Sequence, residues 1–366
     1  MNYPIRILQI VNYMDRGGIE TMLMNYYRNI DKSKVQFDFL THKHGEFAYN
    51  EEIRTLGGKI YLLPNLNPFS ADYFKKLDEF FSEHKEYNIV HCHYDCMSAY
   101  PLYFAKKHNV KVRIAHAHST NQTKDIKLPI KLVSKKFINS VATDLCACSK
   151  EAGKWMFCKD NFNVITNAIS TDKFRFNQEV RNKVRKELNL NDCFVIGITA
   201  NYSEVKNHCF LLNVLSELLK NDSKFKLLFI GKGSCQENID KTINELELND
   251  NVIQLGVRSD VDELVQAMDV FALPSKYEGF SVSLLEAQAS GLPCVVSDRV
   301  PKESAVTNNV QWLSIDNGVE EWVKAFLKLK NFEREDTYEQ IIKAKFDIKE
   351  SAKNLTDFYF DLLNRE

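Results

Sequence analysis

The chain has 366 residues, of which 44% are hydrophobic and 27% charged, and its formal net charge is −1 at pH 7. This length exceeds one typical hydrophobic core and predicts two domains, while the near-zero charge argues against a nucleic-acid partner. The apolar segment at residues 5–11 contains Arg6 and Gln9 and is too short for a signal peptide, and no apolar run is long enough to cross a bilayer. We therefore expect a cytoplasmic protein whose nine scattered cysteines are reduced.

Short apolar segments alternate with helical patterns along the whole chain. Helical periodicity is clear at residues 20–28, 210–219 and 261–268. This alternation predicts parallel sheets with helices on both faces. The predicted strands form a first series at residues 5–11, 37–40, 60–63, 89–93, 112–116, 144–147 and 163–165, and a second at residues 194–199, 226–230, 252–255, 270–273 and 294–297.

The two series of strands predict two doubly wound domains. We place an N-terminal Rossmann-like domain at residues 1–165 and a C-terminal one at residues 166–345, because residues 166–176 show neither periodicity. The tail at 351–363 carries Leu355, Phe358, Tyr359 and Leu362 on one helical side. We expect residues 346–366 to form a helix that packs back toward the first domain.

In the first domain, Gly17 and Gly18 stand where a strand turns into a helix. Such a pair allows close approach to a phosphate at a helix N-terminus, or simply makes a tight turn. Two His-x-His pairs, His91/His93 and His116/His118, end predicted strands. Histidines in this pattern can bind zinc, but the spacing positions no third ligand, so satisfied strand-end histidines are the default and no metal site is predicted.

Four lysines follow the second histidine pair at helical spacing. Lys124, Lys127, Lys131 and Lys135 would line one face of a helix with apolar neighbours, although Pro129 argues against an unbroken helix. This face is either a solvated surface or a peripheral contact with an anionic membrane or a lipid pyrophosphate.

The second domain places polar and glycine residues after several predicted strands. Lys206 follows the strand at residues 194–199, and Gly231 and Gly233 follow the next one. Asp260 and Asp262 form a D-x-D pattern, which we interpret as an ordinary acidic helix start.

The segment at residues 270–298 is the most informative. It predicts a strand, a glycine-containing loop, a short helix and a second strand, with Glu278 and Glu286 separated by seven residues. Loops at the C-terminal ends of parallel strands bind ligands, and the helix N-terminus favours an anion. A phosphate-bearing ligand whose hydroxyls donate to two carboxylates is implied; alternatively, Ser283 and Glu286 have the spacing of a helix capping box.

This segment resembles the E-x7-E signature of retaining glycosyltransferases of family 4. The similarity includes residues 273–275, 278–280 and 291–293, and it extends to the Gly-Gly-Ile-Glu-Thr sequence from Gly17 and to residues 113–119. The resemblance is to bacterial exopolysaccharide and capsular polysaccharide transferases. It implies an α/β protein with the GT-B fold, two doubly wound Rossmann-like domains facing across a cleft.

The resemblance implies a retaining, metal-independent hexosyltransferase without a required cofactor. Its donor would be a nucleotide-sugar, with UDP as the family's expected nucleotide, and its acceptor a glycan or a polyprenyl-pyrophosphate-linked glycan at the inner face of the membrane. It assigns catalytic roles to His118, Lys206 and Glu278. It assigns donor contacts to Gly17, Gly18, Asn201, Lys206, Gly231, Gly233, Val257, Arg258, Glu278, Gly279, Phe280, Ser281, Ser283, Leu284 and Glu286.

One position departs from the family pattern. Asn201 stands where the family usually carries an arginine five residues before the phosphate-contacting lysine, here Lys206. One cation therefore replaces two at the expected diphosphate. A nucleotide-sugar epimerase and a catalytically inactive sugar-nucleotide-binding subunit of a transferase remain the alternative functions.

Overall fold

The computed structural model describes residues 4–119, 128–220 and 222–365. The chain divides into two compact units. Residues 1–168 and 347–366 form the first, called unit 1, and residues 169–346 form the second, called unit 2. Each unit is built around one parallel sheet.

The strands of unit 1 are β1 (Ile5–Ile10), β2 (Val35–Thr41), β3 (Ile60–Leu62), β4 (Ile89–Cys92), β5 (Val112–Ala117), β6 (Asp144–Ala147) and β7 (Asn163–Val164). Those of unit 2 are β8 (Phe194–Thr199), β9 (Phe225–Ile230), β10 (Val252–Gln254), β11 (Val270–Leu273), β12 (Cys294–Ser297) and β13 (Val310–Leu313). The spatial orders are β3-β2-β1-β4-β5-β6-β7 and β10-β9-β8-β11-β12-β13. In each sheet the chain first adds strands on one side of the first strand and then on its other side, so the strand order reverses next to β1 and next to β8.

The helices of unit 1 are α1 (Gly18–Asn29), α2 (Asn50–Thr55), α3 (Ala71–Glu83), α4 (Ala99–Lys107), α5 (Leu128–Val141) and α6 (Lys150–Phe157). Unit 2 contains α7 (Thr171–Phe174), α8 (Gln178–Glu187), α9 (His208–Leu219), α10 (Gln236–Glu245), α11 (Val261–Gln266), α12 (Val282–Ala289), α13 (Glu320–Lys328) and α14 (Tyr338–Lys343). The last helix, α15 (Ile348–Asn364), returns to unit 1.

Strand side chains enter apolar cores on both faces of the sheet in unit 1. Ile7 and Ile89 belong to one buried cluster, whereas their neighbours Leu8 and Val90 belong to the other. This is the pattern of a parallel sheet covered on both sides, because successive side chains point to opposite faces. The first cluster also contains Tyr359 of α15, so the last helix completes the core of unit 1.

Short polar side chains mark several helix starts. Ser149 accepts a hydrogen bond from the backbone amide of Ala152 at the start of α6, and Asp347 accepts one from Lys349 at the start of α15. These contacts satisfy amides that have no partner within the helix. Asp347 thus begins α15 at the residue where the chain re-enters unit 1.

The parallel α/β architecture predicted from the sequence is confirmed. Strand β13 was not predicted, because Val310–Leu313 is only four residues long and none of them is fully buried. Among the described residues, no helix is long and apolar enough to cross a membrane.

Candidate active site

The loops after β8 and β11 lie at the point where the strand order of unit 2 reverses. These two strands are neighbours in the sheet, and their connections lead to opposite sides. In doubly wound sheets, ligands bind beyond the carboxyl ends of the strands at such a point. Lys206 and Glu278 are carried by these two loops.

Backbone and side-chain hydrogen bonds fix the two loops against each other. The Lys276 amide donates to the Val205 carbonyl at 2.7 Å, and the Asn207 side-chain amide donates to the Pro274 carbonyl at 3.2 Å. Asn207 has a left-handed conformation, with φ of 56°, which asparagine tolerates better than most residues. Lys206 is therefore held on a defined turn immediately before α9.

Lys206 and Glu278 form an ion pair within unit 2. The Lys206 Nζ lies 2.5 Å from Glu278 Oε1, and the Ser275 hydroxyl donates to the same oxygen at 2.6 Å. The lysine side chain is 20% exposed and the glutamate side chain 9% exposed. Both residues were assigned to donor binding from the sequence, but their pairing was not foreseen. A bound diphosphate would share the ammonium group with a carboxylate that is already positioned.

Glu286 lies on the second turn of α12, and the capping-box alternative is wrong. The residue that caps α12 is Ser281, whose hydroxyl accepts from the Leu284 amide at 3.4 Å. Within the described residues, the Glu286 carboxyl makes no hydrogen bond. Burial and the nearby Asp262 raise the pKa of Glu286 to about 8. This carboxyl is therefore available to a ligand's hydroxyl groups.

The other residues of this segment that were predicted to bind the donor differ in which of their atoms a ligand could reach. The Phe280 ring stacks on Phe346 with centroids 5.0 Å apart, and Leu284 is fully buried. Only the backbone of Leu284 can therefore serve a ligand, and its amide already binds Ser281. Ser283 lies in the first turn of α12, and Gly279 lies in the loop before it.

Gly231 and Gly233 allow close packing at the carboxyl end of β9. A Cβ on Gly231 would lie 2.0 Å from the Ala200 carbonyl oxygen, and one on Gly233 would lie 2.4 Å from that of Tyr202. Gly231 also has a φ of +144°, which L side chains rarely adopt. Both glycines therefore bring this loop against the one that carries Lys206.

We expect Gly231→Ala to lower the free energy of unfolding by roughly 2–4 kcal/mol, since backbone strain alone costs about 1–3 kcal/mol and the clash adds to it. Gly256→Ala is a matched control, because Gly256 also has positive φ, +64°, but no atom lies within 4 Å of the added Cβ. Gly256→Ala should lower the free energy of unfolding by only about 1 kcal/mol. Urea unfolding of both variants measures the difference, and equal losses would contradict the packing role of Gly231.

Val257 and Arg258 lie on the loop between β10 and α11. Both are exposed, and the Arg258 guanidinium donates to Asp260 at 2.6 and 2.8 Å. Asp260 is the residue before the first turn of α11 and Asp262 lies within that turn, as the interpretation of D-x-D as a helix start predicted.

In unit 1, Gly17 and Gly18 lie at the start of α1. A Cβ on Gly17 would lie 2.3 Å from an oxygen of Glu20, whose carboxyl folds back over the helix N-terminus. Burial and the nearby Asp15 raise the pKa of Glu20 to about 7. Gly18 is exposed and has no atom within 4 Å of a built Cβ, so this backbone is open to a ligand.

The four histidines form one connected cluster in unit 1. Strands β4 and β5 pair in a register that sets Cys92 beside Ala115, which brings His93 next to His116. His91 and His116 lie within β4 and β5, not at the strand ends that the sequence suggested, and both are buried. His118 follows β5 and is partly exposed.

The fold brings three histidines close together, which the sequence spacing alone did not predict. Nitrogen atoms of His91, His93 and His116 lie within 4.8 Å of one another. Five of their six ring nitrogens, however, already make hydrogen bonds; His116 Nε2 is buried without a partner. A metal ion would have to displace these bonds, so the cluster is a hydrogen-bonded network and not a prepared set of ligands.

Asp95 holds the segment that carries His118. Its carboxylate accepts from the His118 amide at 2.7 Å and from the Ser119 hydroxyl at 3.1 Å. Burial lowers the pKa of His118 to about 3, so the imidazole is neutral near pH 7. Sequence reasoning missed Asp95; its place two residues after His93, near a strand end, was the available signal.

Two of the four lysines predicted to line a helix, Lys131 and Lys135, lie on α5, which begins at Leu128. Lys124 and Lys127 lie outside the described residues. Lys135 lies over the Trp155 ring, with its Nζ 4.3 Å from the ring centroid. Leu132, Val133 and Phe137 are exposed on the same helix, which gives this surface an apolar component beside its lysines.

Two protein families match the chain in succession. Glycosyltransferase Family 4 matches residues 16–173, and Glycosyl transferases group 1 matches residues 180–347. EpsF of Bacillus subtilis is 33% identical over 97% of this chain and 96% of its own. CapH of Staphylococcus aureus, a capsular polysaccharide biosynthesis glycosyltransferase, is 25% identical over 83% of this chain and 84% of its own.

Solved structures share the fold. HepE from Anabaena, solved with UDP, superposes with a TM-score of 0.80 at 16% identity and covers 97% of this chain and 100% of its own. Sucrose-phosphate synthase from Thermosynechococcus elongatus superposes with a TM-score of 0.75 at 16% identity, over 98% of this chain and 99% of its own. The two parallel α/β units have the GT-B fold. The chain belongs to glycosyltransferase family 4 and is a glycosyltransferase of bacterial polysaccharide biosynthesis.

Proposed function

We propose that this protein transfers a hexosyl group from a UDP-sugar to a glycan or lipid-linked acceptor with retention of anomeric configuration. The observation that carries the proposal is the arrangement at the strand reversal of unit 2. There, the ion pair of Lys206 and Glu278 joins the loops after β8 and β11, and the unbonded carboxyl of Glu286 lies on the second turn of α12, the helix that follows the second of these loops. This combination suits a diphosphate with hydroxyl groups on both sides.

In this proposal, each residue of the site contacts a different part of the donor. Lys206 offsets the charge that develops on the departing diphosphate, which is where preorganised positive charge accelerates a reaction. Glu278 accepts hydrogen bonds from the transferred sugar, the 280–284 backbone holds sugar and phosphate oxygens, and Glu286 accepts from the ribose hydroxyls. His118 of unit 1 contacts the transferred sugar. A phosphate oxygen of the donor helps to deprotonate the acceptor, so no metal ion is required.

Relatives support the chemical class of donor and acceptor. An Escherichia coli relative, 25% identical over 76% of this chain and 76% of its own, is named UDP-Gal:alpha-D-GlcNAc-diphosphoundecaprenol alpha-1,3-galactosyltransferase. HepE has been solved with UDP-glucose as well as with UDP. On this basis we propose a UDP-sugar as donor and a polyprenyl-diphosphate-linked sugar as acceptor.

A panel of UDP-sugars incubated with an undecaprenyl-diphosphate-linked acceptor tests the proposal. Transfer with retained configuration, unchanged by excess EDTA, is the expected result. Epimerisation without transfer would support a nucleotide-sugar epimerase, and nucleotide binding without turnover would support an inactive partner subunit. Transfer that is lost in EDTA and restored by a divalent ion would contradict metal independence.

We also propose that unit 1 binds an anionic membrane peripherally through α5. Its exposed Leu132, Val133 and Phe137 lie on the helix that carries Lys131 and Lys135. Each lysine close to an anionic surface contributes about 1 kcal/mol, and salt screens this attraction. Membrane contact of this kind is reversible and lets the enzyme reach a lipid-linked acceptor.

We expect sedimentation with anionic vesicles at low salt, with little binding to neutral vesicles or at high salt. Phe137→Ser combined with Lys135→Gln should lower the fraction bound several-fold, since it removes one apolar and one charged contact. Lys324→Gln, an exposed lysine on α13 of unit 2, is the matched control. Equal binding to both vesicle types, or to neither, would identify α5 as an ordinary solvated helix.

A further inference from the structure

The side chain of Gln9 is buried in strand β1 of unit 1 and uses both ends of its amide. Its Oε1 lies 2.9 Å from His93 Nε2, and its Nε2 donates to the Tyr359 hydroxyl at 3.3 Å. An amide oxygen only accepts and an amide nitrogen only donates. Gln9 therefore fixes the direction of its own hydrogen bonds to His93 and to Tyr359, from which two hydrogen-bond chains continue.

The first chain leads to His118. Because Gln9 Oε1 accepts, the proton of His93 is on Nε2, and His93 Nδ1 carries a lone pair. His93 Nδ1 lies 2.9 Å from His118 Nε2, so His118 Nε2 must donate. The single proton of neutral His118 is then on Nε2, and Nδ1 is an acceptor that makes no hydrogen bond within the described residues.

The second chain leads away from His118. The Tyr359 hydroxyl accepts from Gln9 and makes a second hydrogen bond with His91 Nδ1 at 2.8 Å. His91 Nε2 in turn shares a hydrogen bond with His116 Nδ1 at 3.1 Å. This chain ends at His116 Nε2, which is buried and has no partner. Burial lowers the pKa of all four histidines, so each ring carries one proton near pH 7.

We propose that Gln9 is a positioning residue that fixes the tautomer of His118, with the proton on Nε2 and the lone pair on Nδ1. The consequence for turnover rests on the proposed function, in which His118 contacts the transferred sugar. A lone pair on Nδ1 accepts a hydrogen bond from a sugar hydroxyl, whereas the opposite tautomer presents a donor there. Gln9 acts through His93 and does not itself touch the ligand.

The tautomer can be observed without any activity measurement. In protein labelled with ¹⁵N-histidine, NMR correlations of the ring protons distinguish a protonated from an unprotonated ring nitrogen. The spectrum of a His118→Gln variant identifies the His118 signals. We expect the wild-type protein to show a protonated Nε2 and an unprotonated Nδ1 in His118. A proton on Nδ1 would overturn the proposal.

Two variants separate the chains. Gln9→Met keeps the side-chain length but removes the strong acceptor, so His93 and His118 should each become a mixture of tautomers. Tyr359→Phe removes the hydroxyl of the second chain and should change His91 and His116 while the His118 tautomer stays as in the wild type. An unchanged His118 in Gln9→Met would overturn the proposal, as would an altered His118 in Tyr359→Phe.

Kinetics then link the tautomer to the reaction. In Gln9→Met, kcat should fall in proportion to the remaining fraction of the Nε2-protonated form, about 2- to 10-fold, since only the competent population turns over. UDP affinity, which depends on unit 2, should not change. A kcat that does not follow the NMR fraction would remove the link to turnover. Normal transfer by His118→Gln would instead count against the catalytic role of His118 and leave the tautomer assignment standing.

Discussion

Replacing Glu286 with alanine is expected to weaken nucleotide binding on the order of tens- to hundreds-fold, because hydrogen bonds to a charged group contribute roughly 1.5–3 kcal/mol each. The Glu286 carboxyl makes no hydrogen bond within the described residues, so its loss should remove ligand contacts and few structural ones. Calorimetric titration with UDP measures the affinity, and thermal unfolding measures stability. Glu321→Ala, an exposed carboxylate in the first turn of α13, is the matched control.

Because the pKa of Glu286 is raised, UDP affinity should depend on pH in a direction that can be stated in advance. Two ribose hydroxyls donate best to a carboxylate, whereas the free protein holds this group protonated below a pKa of about 8. UDP affinity should therefore fall as the pH falls below 8, by up to about tenfold per pH unit, and binding should release a proton. Glu286→Gln should remove this component while leaving the titration of the UDP phosphates in place, so the difference between the two proteins isolates Glu286.

An unchanged affinity together with a lower thermal stability would give Glu286 a purely structural role. An affinity that rises as the pH falls in the wild type but not in Glu286→Gln would show that the protonated carboxyl binds the ligand. Each result would change the assignment of the ribose contact without affecting the fold.

The topology and the main site segments could be predicted because they depend on local patterns. Alternating strands and helices specify a doubly wound sheet, and the carboxyl ends of its strands specify where ligands bind. Lys206 and Glu278 could thus be placed in the same region although 71 residues separate them along the chain.

Contacts that depend on side-chain conformation could not be predicted in this way. The spacing of Ser283 and Glu286 fits a capping box, but α12 begins one residue after Ser281, and this shift moves Glu286 away from the capping position. The spacing of the histidines gave no third neighbour, because the register between β4 and β5 that sets His93 beside His116 is a property of the folded sheet.

Lys206→Ala is expected to lower kcat by roughly 10²- to 10³-fold, the usual effect of removing one preorganised group that stabilises developing negative charge. Acceptor KM should change much less, because charge accumulates on the diphosphate only as the glycosidic bond breaks. Steady-state kinetics with varied donor and acceptor separate these effects. Lys276→Ala is the matched control, since it removes an exposed cation from the neighbouring loop while the backbone bond to Val205 can remain.

Because Lys206 is paired with Glu278, a second experiment can separate its charge from its contact with that carboxylate. Without Lys206, the Glu278 carboxylate loses its ion pair, keeps the hydrogen bond from the Ser275 hydroxyl and repels the donor phosphates. Asn201→Arg supplies a guanidinium at the exposed position where the family usually carries one, so it should leave wild-type activity intact or raise it and partly restore kcat in Lys206→Ala. Near-normal kinetics in Lys206→Ala would remove this lysine from the diphosphate site. Failure of Asn201→Arg to restore any activity would instead show that Lys206 acts mainly by positioning Glu278, because a cation supplied elsewhere cannot hold that carboxylate.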